Sequence, residues 1–115
     1  MNIESIQQIC KSLPSITQDI KWGDDLVFSI GGKMFFIVVL NQVPVMATFK
    51  VTEEHFDEMC ERDGFKKAAY VGKYKWVTID DIGKMNKKEW EKFITQSYNL
   101  VKGKLSTKIR KQLGE

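Results

Sequence analysis

The chain has 115 residues, of which 43% are hydrophobic and 29% charged, and its formal net charge is +3. This length fits a single domain over residues 1–115 that can bury a core of its own without a metal or a disulfide. The longest apolar run, residues 34–40, is far shorter than the about 20 residues of a membrane-spanning helix, which argues against a membrane protein.

The first predicted element is an amphipathic helix. Apolar residues recur at intervals of three and four from Ile3 to Leu13, which predicts a helix over residues 3–12. Asn2 is suited to cap its start, and Pro14 closes its end. Residues 14–25 are predicted to be a loop or a short edge strand.

A β-hairpin follows, centred on Gly31 and Gly32. Two adjacent glycines accept the positive φ angles of a type I′ turn, so Leu26–Ile30 should pair with Lys33–Leu40. The second of these strands is apolar on both faces, which predicts a central position in the sheet. Strict alternation would place one set of its side chains opposite the other: Met34, Phe36, Val38 and Leu40 against Phe35, Ile37 and Val39.

A third strand and a second helix come next. Residues 45–51 alternate between an apolar face and a mixed face, which is typical of a half-buried strand. Thr52 is placed to cap a helix over residues 53–62, and Gly64 ends it.

The remaining elements are a second hairpin and two helices. Residues 66–70 and 74–79 are predicted to pair as strands, and residues 80–85 to form a turn region. The longest helix should begin at Asn86 with a capping box and reach residue 101 or 102. Ser106 then caps a short helix that extends through Leu113.

This order of elements predicts an α+β domain with a mainly antiparallel sheet of about five strands, packed by N- and C-terminal helices. Two arrangements are open. If the helices cover one face, the other face is an apolar surface suited to a dimer or a ligand; the alternative is a helix on each side.

Several short motifs, in order and with compatible spacing, resemble the MmcQ/YjbR-like family over nearly the whole chain. They are Trp22-Gly23-Asp24, Phe28, Gly31 to Phe35, Lys50, Trp76-Val77-Thr78 and Ser97 to Val101. The resemblance implies a frataxin-like fold. It also implies a DNA-binding role, because the two hairpins of the family have been likened to a double wing. Where many members read His-Met-Asn-Lys, this chain keeps only Lys73, in Tyr70-Val71-Gly72-Lys73.

The distribution of charge is compatible with that role. Residues 1–63 carry a net charge of −5 and residues 64–115 one of +8, an asymmetry that indicates an anionic partner or simply a solvated lysine surface. Residues 65–79 contain lysines and aromatic residues but no acid, a composition suited to phosphates and unpaired bases. The candidate nucleic-acid contacts are therefore Lys66, Lys67, Lys73, Lys75 and Trp76, with Lys33 and Lys50 from the family motifs.

Two further expectations concern the position of Trp76 and the presence of catalytic residues. Trp76 is expected to be either a base-stacking contact or, more often for a strand tryptophan, a core residue packed on the terminal helix. His55 is the single histidine and lies in an acidic segment, where we expect it to be exposed. One histidine supports neither a zinc site nor a catalytic triad, and we expect no catalytic residues, metal or cofactor.

The functional prediction is a binding module. The sequence lacks a basic leader, and Cys10 and Cys60 form no CxxC pair, so we expect a cytoplasmic protein with reduced thiols. It should be a monomer or a weak homodimer, and DNA is the predicted partner. The alternative is a protein-interaction or small-ligand module that uses an apolar sheet face. A deep apolar pocket with dispersed lysines would favour the small-ligand alternative.

Overall fold

A computed structural model describes residues 2–68 and 75–114. Within these residues the chain forms six strands and four α-helices, with a short 3-10 helix over Ile82–Lys84. In chain order they are α1 (Ile3–Lys11), β1 (Ile16–Lys21), β2 (Asp25–Ile30), β3 (Lys33–Val39), β4 (Met46–Lys50), α2 (Glu53–Cys60), β5 (Phe65–Lys67), β6 (Trp76–Ile79), α3 (Lys87–Lys102) and α4 (Thr107–Gln112).

The strands form one antiparallel sheet in the order β1-β2-β3-β4-β6-β5. The α+β prediction is confirmed, and β3 is an interior strand as expected. The sixth strand is β1, an exposed edge strand in the segment for which the sequence allowed either a loop or an edge strand. The tip of the second predicted hairpin lies outside the described residues.

The helix starts follow the predicted caps. The side chains of Asn2, Thr52, Asn86 and Ser106 each accept a hydrogen bond from the backbone N–H three residues later. None of the helices in the described ranges is long and apolar enough to cross a membrane.

The β2–β3 hairpin has the predicted turn but not the predicted alternation. Gly31 and Gly32 have φ angles of 57° and 82°, and Ile30 pairs with Lys33. A bulge then shifts the register, because Phe28 pairs with Phe36 while Ser29 pairs with Met34. Phe35 therefore joins Phe36 in the core. The prediction that Met34 shares a face with Phe36 is wrong: Met34 lies on the opposite face.

The helices cover one face of the sheet. Helix α3 packs across β2, β3 and β4, α1 packs on α3, and α2 packs on β5 and β6. The core between the layers is aromatic: the Trp90 ring meets Phe36 and Phe49 edge-on, with centroids 5.7 and 5.6 Å away. The Trp90 indole N–H donates to the carbonyl of Ile82 at 2.9 Å, so its polar group is satisfied inside the core. The opposite sheet face is left open in the described part of the chain.

Candidate functional site

The open face of the sheet carries a cavity of about 500 Å³, which we call the open-face cavity. The alternation of β3, β4 and β6 sends one set of side chains into the helix-packed core and the other set into this cavity. Its walls are mostly apolar. The lining residues are Trp22, Asp25, Met34, Ile37, Val39, Met46, Thr48, Lys66, Ala68, Trp76 and Thr78.

The two threonines of the cavity are hydrogen-bonded to each other. Thr48 and Thr78 are directly opposite on β4 and β6, and their Oγ1 atoms are 2.9 Å apart, a hydrogen-bonding distance. A cross-strand pair of this kind stabilises the sheet and leaves the methyl groups to line the cavity. The middle of the cavity therefore offers a surface that is less polar than its composition suggests.

Trp22 stands at the edge of the cavity because of the turn between β1 and β2. Its own φ is 51° and that of Gly23 is 93°, so the chain turns sharply here. The Trp22 side chain is 67% exposed, which is high for an indole. Its position depends on the turn rather than on burial in the core.

A smaller recess of about 190 Å³ adjoins the open-face cavity, and we call it the lysine recess. It shares Met34 and Trp76 with the cavity, so the two spaces are continuous along these side chains. Its other lining residues are Lys33, Lys50, Val101 and Lys104.

Lys50 is the most enclosed of the three lysines, with only 8% of its surface exposed. Burial lowers the pKa of its amine below the ordinary value, and the positive charge of Lys104 lowers it further. The recess thus brings the buried Lys50 close to the exposed positive charge of Lys104.

Helix α3 fixes the backbone of the lysine recess. The pairing of β3 with β4 runs as far as Phe36 opposite Phe49. One residue farther along the strands, the Ser97 hydroxyl donates to the Phe35 carbonyl at 2.5 Å and accepts from the Lys50 N–H at 2.9 Å. The last turn of α3 then brings Val101 into the recess wall.

The described DNA-contact candidates do not all lie on one face. Lys66 lines the open-face cavity, while Lys33 and Lys50 line the lysine recess. Lys75 lies on the side of α2, with its Nζ 3.9 Å from Glu53 Oε1 and 4.8 Å from the centre of the Phe56 ring.

Two further candidates complete this set. Lys67 is opposite Val77 in the sheet register, so it alternates away from Lys66 and from the open face. Lys73 lies outside the described residues. The described members of the second-hairpin lysine set are therefore divided between two sides of the sheet.

Trp76 is buried, with 9% of its surface exposed, as a core residue would be. It nevertheless shares a face with Thr78, whereas the intervening Val77 points into the helix-packed core. It lines the lysine recess together with Val101 of α3. Trp76, like Met34, is therefore a wall of both spaces.

His55 differs from its expected exposed position. It is half-buried between α2 and α3, with its Nδ1 2.9 Å from Gln96 Nε2 and its ring edge-on to Phe93. The contact arises because α2 packs beside α3, an interhelical relationship that helical periodicity does not reveal. Among residues 2–68 and 75–114, no three His, Cys, Asp or Glu side chains gather as metal ligands. The absence of a cofactor stays a prediction.

An apolar second sheet face is predictable from the sequence, but the residues that enclose the cavity on it are not. Strand alternation groups Phe35 with Ile37 and Val39, but only Ile37 and Val39 line the open-face cavity. Met46 and Thr48, from the mixed face of β4, line it as well. The sequence places Trp22 in a family motif but does not predict its position in the cavity, because the turn that directs it there depends on tertiary structure.

Comparisons with known proteins agree with this fold. The sequence model of the family described as YjbR matches residues 11–100. A Deinococcus radiodurans crystal structure with a DUF419 domain is 24% identical with a TM-score of 0.86, covering 98% of this chain and 88% of that one. A Pseudomonas syringae protein is 19% identical with a TM-score of 0.72, covering 88% and 99%. No curated protein matches the chain. At these identities the structural likeness concerns the fold alone.

Proposed function

The chain belongs to the YjbR family, and from this premise we propose that it is a binding module that takes a small, largely apolar molecule into the open-face cavity. The observation that carries the proposal is the cavity itself. Its volume of about 500 Å³ falls within the range of about 300–1,000 Å³ that is typical of small-molecule sites, and its walls are apolar with few polar groups.

The walls come mainly from regular strands, which favours binding energetically. Ile37, Thr48 and Thr78 lie on three neighbouring strands whose backbones are fixed by the sheet. A site built in this way loses little conformational entropy when a ligand enters. A ligand would also cover part of the exposed Trp22 ring, and burial of apolar surface contributes about 25 cal/mol per Å².

The positions of the family-motif residues support the proposed binding site. Trp22, Met34, Trp76 and Thr78 belong to the motifs that carry it, and all four line the open-face cavity. Lys50 and Val101, from two further motifs, line the lysine recess. Motifs that are far apart in the sequence therefore meet around one continuous space.

DNA binding through the second hairpin stays a prediction with less support. A duplex contact of several phosphates needs its cations on one surface. Lys66 and Lys75 instead lie on different sides of the sheet, and Lys75 is close to Glu53. We also propose binding rather than catalysis, because the threonine hydroxyls of the cavity are engaged with each other.

The experiment is a fluorescence titration with N-phenylnaphthylamine, a neutral probe that emits strongly in apolar sites. Ile37→Trp should fill the middle of the open-face cavity and weaken binding by at least about tenfold, since the added ring occupies ligand volume. Ile20→Trp is the matched control, because Ile20 is 52% exposed on β1 and outside the cavity lining. Exciting the probe directly avoids interference from the new indole.

Both variants must keep the melting temperature of the unmodified chain within a few degrees for the comparison to be made. Saturable binding that is lost in Ile37→Trp and kept in Ile20→Trp supports the proposal. Absence of binding, or equal binding by the two variants, overturns it.

A further inference from the structure

We infer that the ligand is an amphipathic anion, with its apolar body in the open-face cavity and a single carboxylate, sulfonate or phosphate group in the lysine recess. This inference rests on the proposed function and specifies its ligand class. The anionic group would lie against Lys33, Lys50 and Lys104, which line the recess.

The open-face cavity and the lysine recess form one continuous space. Met34 and Trp76 are walls of both spaces, so a molecule lying along β3 passes from one to the other without crossing a strand. The bulge in the β2–β3 pairing is what places Met34 on this face. The recess, at about 190 Å³, has room for a charged headgroup but is small for the body of a drug-sized ligand.

The two ends of the site along β3 carry opposite charges. Asp25 is directly opposite Val39 at one end of the cavity, whereas Met34 and the lysine recess are at the other end. Met34 and Val39 are five positions apart on β3, a distance of at most about 16 Å at a rise of 3.3 Å per residue. An anionic group is repelled at the Asp25 end and attracted at the lysine end, so one orientation is favoured.

The remaining cation of the cavity does not reverse this polarity. Lys66 lies on the edge strand β5, opposite Thr78 of β6 and to the side of the cavity, and it is exposed. A surface lysine of this kind is screened by solvent and salt. Lys50, with 8% exposure, interacts with an anion in a less polar environment, where charge-assisted hydrogen bonds are stronger.

The positive charges of Lys50 and Lys104 favour an anionic group in the lysine recess. Burial and the nearby positive charge of Lys104 both disfavour the charged form of Lys50. An anionic headgroup beside Lys50 and Lys104 would be attracted by both positive charges, so the recess is better suited to an anion than to a neutral group. The Ser97 hydroxyl keeps the Lys50 backbone in position by accepting a hydrogen bond from the Lys50 N–H.

The experiment compares two probes with the same aromatic body. Anilinonaphthalene sulfonate carries one anionic group, and N-phenylnaphthylamine lacks it. We expect the unmodified chain to bind the sulfonate more tightly by about tenfold at low salt, as a charge-assisted contact of about 1.4 kcal/mol would give. This preference should decrease as salt is added.

The variants then assign the preference to the lysine recess. Lys50→Met keeps most of the apolar stem and should bring the ratio of the two probe affinities, sulfonate over neutral, down to about one. Lys88→Met is the matched control, because Lys88 is exposed on α3 and is absent from the lining of both spaces. If Lys50→Met lowers the melting temperature, Lys104→Met serves as the second variant, since Lys104 is exposed and its removal costs little stability.

The outcomes separate this inference from the proposed function. Equal affinity for the two probes, or a preference that survives both lysine variants, overturns the anionic ligand class while the cavity proposal stands. Failure of both probes to bind overturns the proposed function itself. A preference that is lost in Lys50→Met or Lys104→Met and kept in Lys88→Met supports the inference.

Discussion

The Ser97 hydroxyl accepts a hydrogen bond from the backbone N–H of Lys50, 47 residues away in sequence, at 2.9 Å. The same hydroxyl donates to the Phe35 carbonyl at 2.5 Å, and Ser97 is fully buried. One side chain of α3 thus replaces the strand-to-strand hydrogen bonds at the point where β3 and β4 stop pairing. It links the position of α3 to the lysine recess.

Replacement of this hydroxyl should be costly. Ser97→Ala leaves a buried N–H and a buried carbonyl without their partner, and we expect the free energy of unfolding to fall by about 2–3 kcal/mol. Urea denaturation followed by circular dichroism measures the change. Ser5→Ala, on the half-buried face of α1, is the control and should change stability by less than about 0.5 kcal/mol. Similar small effects for both variants would contradict the bridging role.

The two turn glycines should differ in their tolerance of alanine. Gly31 combines a φ of 57° with a site where a Cβ would lie 2.8 Å from Leu105 Cδ1. Gly32 has a φ of 82° but nothing within 4 Å of an added Cβ. We expect Gly32→Ala to cost about 1–2 kcal/mol for the left-handed conformation alone, and Gly31→Ala to cost more because of the added clash. Melting temperatures test this order, and a larger effect at Gly32 would refute it.

The two cavity tryptophans should separate stability from binding. Trp22 is 67% exposed, so Trp22→Ala should lower the free energy of unfolding by less than about 1 kcal/mol while weakening probe binding. Trp76 is 9% exposed, and Trp76→Ala should cost about 3 kcal/mol or more because it removes buried apolar surface. Chemical denaturation and the N-phenylnaphthylamine titration measure the two properties. Unchanged probe binding in Trp22→Ala would remove Trp22 from the site.

Duplex DNA provides the test of the wing hypothesis. If Lys66, Lys67, Lys73 and Lys75 contacted four phosphates, log affinity would fall with log salt at a slope of roughly −3 to −4. Because the described lysines of this set lie on two sides of the sheet, we expect weak binding with a slope shallower than about −2. Fluorescence anisotropy of labelled DNA at several salt concentrations measures the slope. A steep slope that Lys73→Ala and Lys75→Ala together flatten by about two would support the DNA prediction instead.

The sequence by itself determined the features that depend on neighbouring residues. Asn2 and Asn86 mark helix starts because a cap bonds to an N–H only three residues away. Gly31 and Gly32 mark the hairpin because the turn requires positive φ at those two positions. Membership of the YjbR family was also recognisable from short motifs and is confirmed by the family match.

Only the tertiary structure decided which sheet face stays open and which residues enclose the candidate site. The bulge that moves Met34 to the open face arises from the pairing of β2 with β3, and period-two alternation cannot reveal it. Trp22, Lys50 and Trp76 come from separate parts of the chain, and they meet because the sheet order and the packing of α3 bring them together. The physical reason is that caps and turns are local, whereas a cavity is defined by contacts between residues that are distant in sequence.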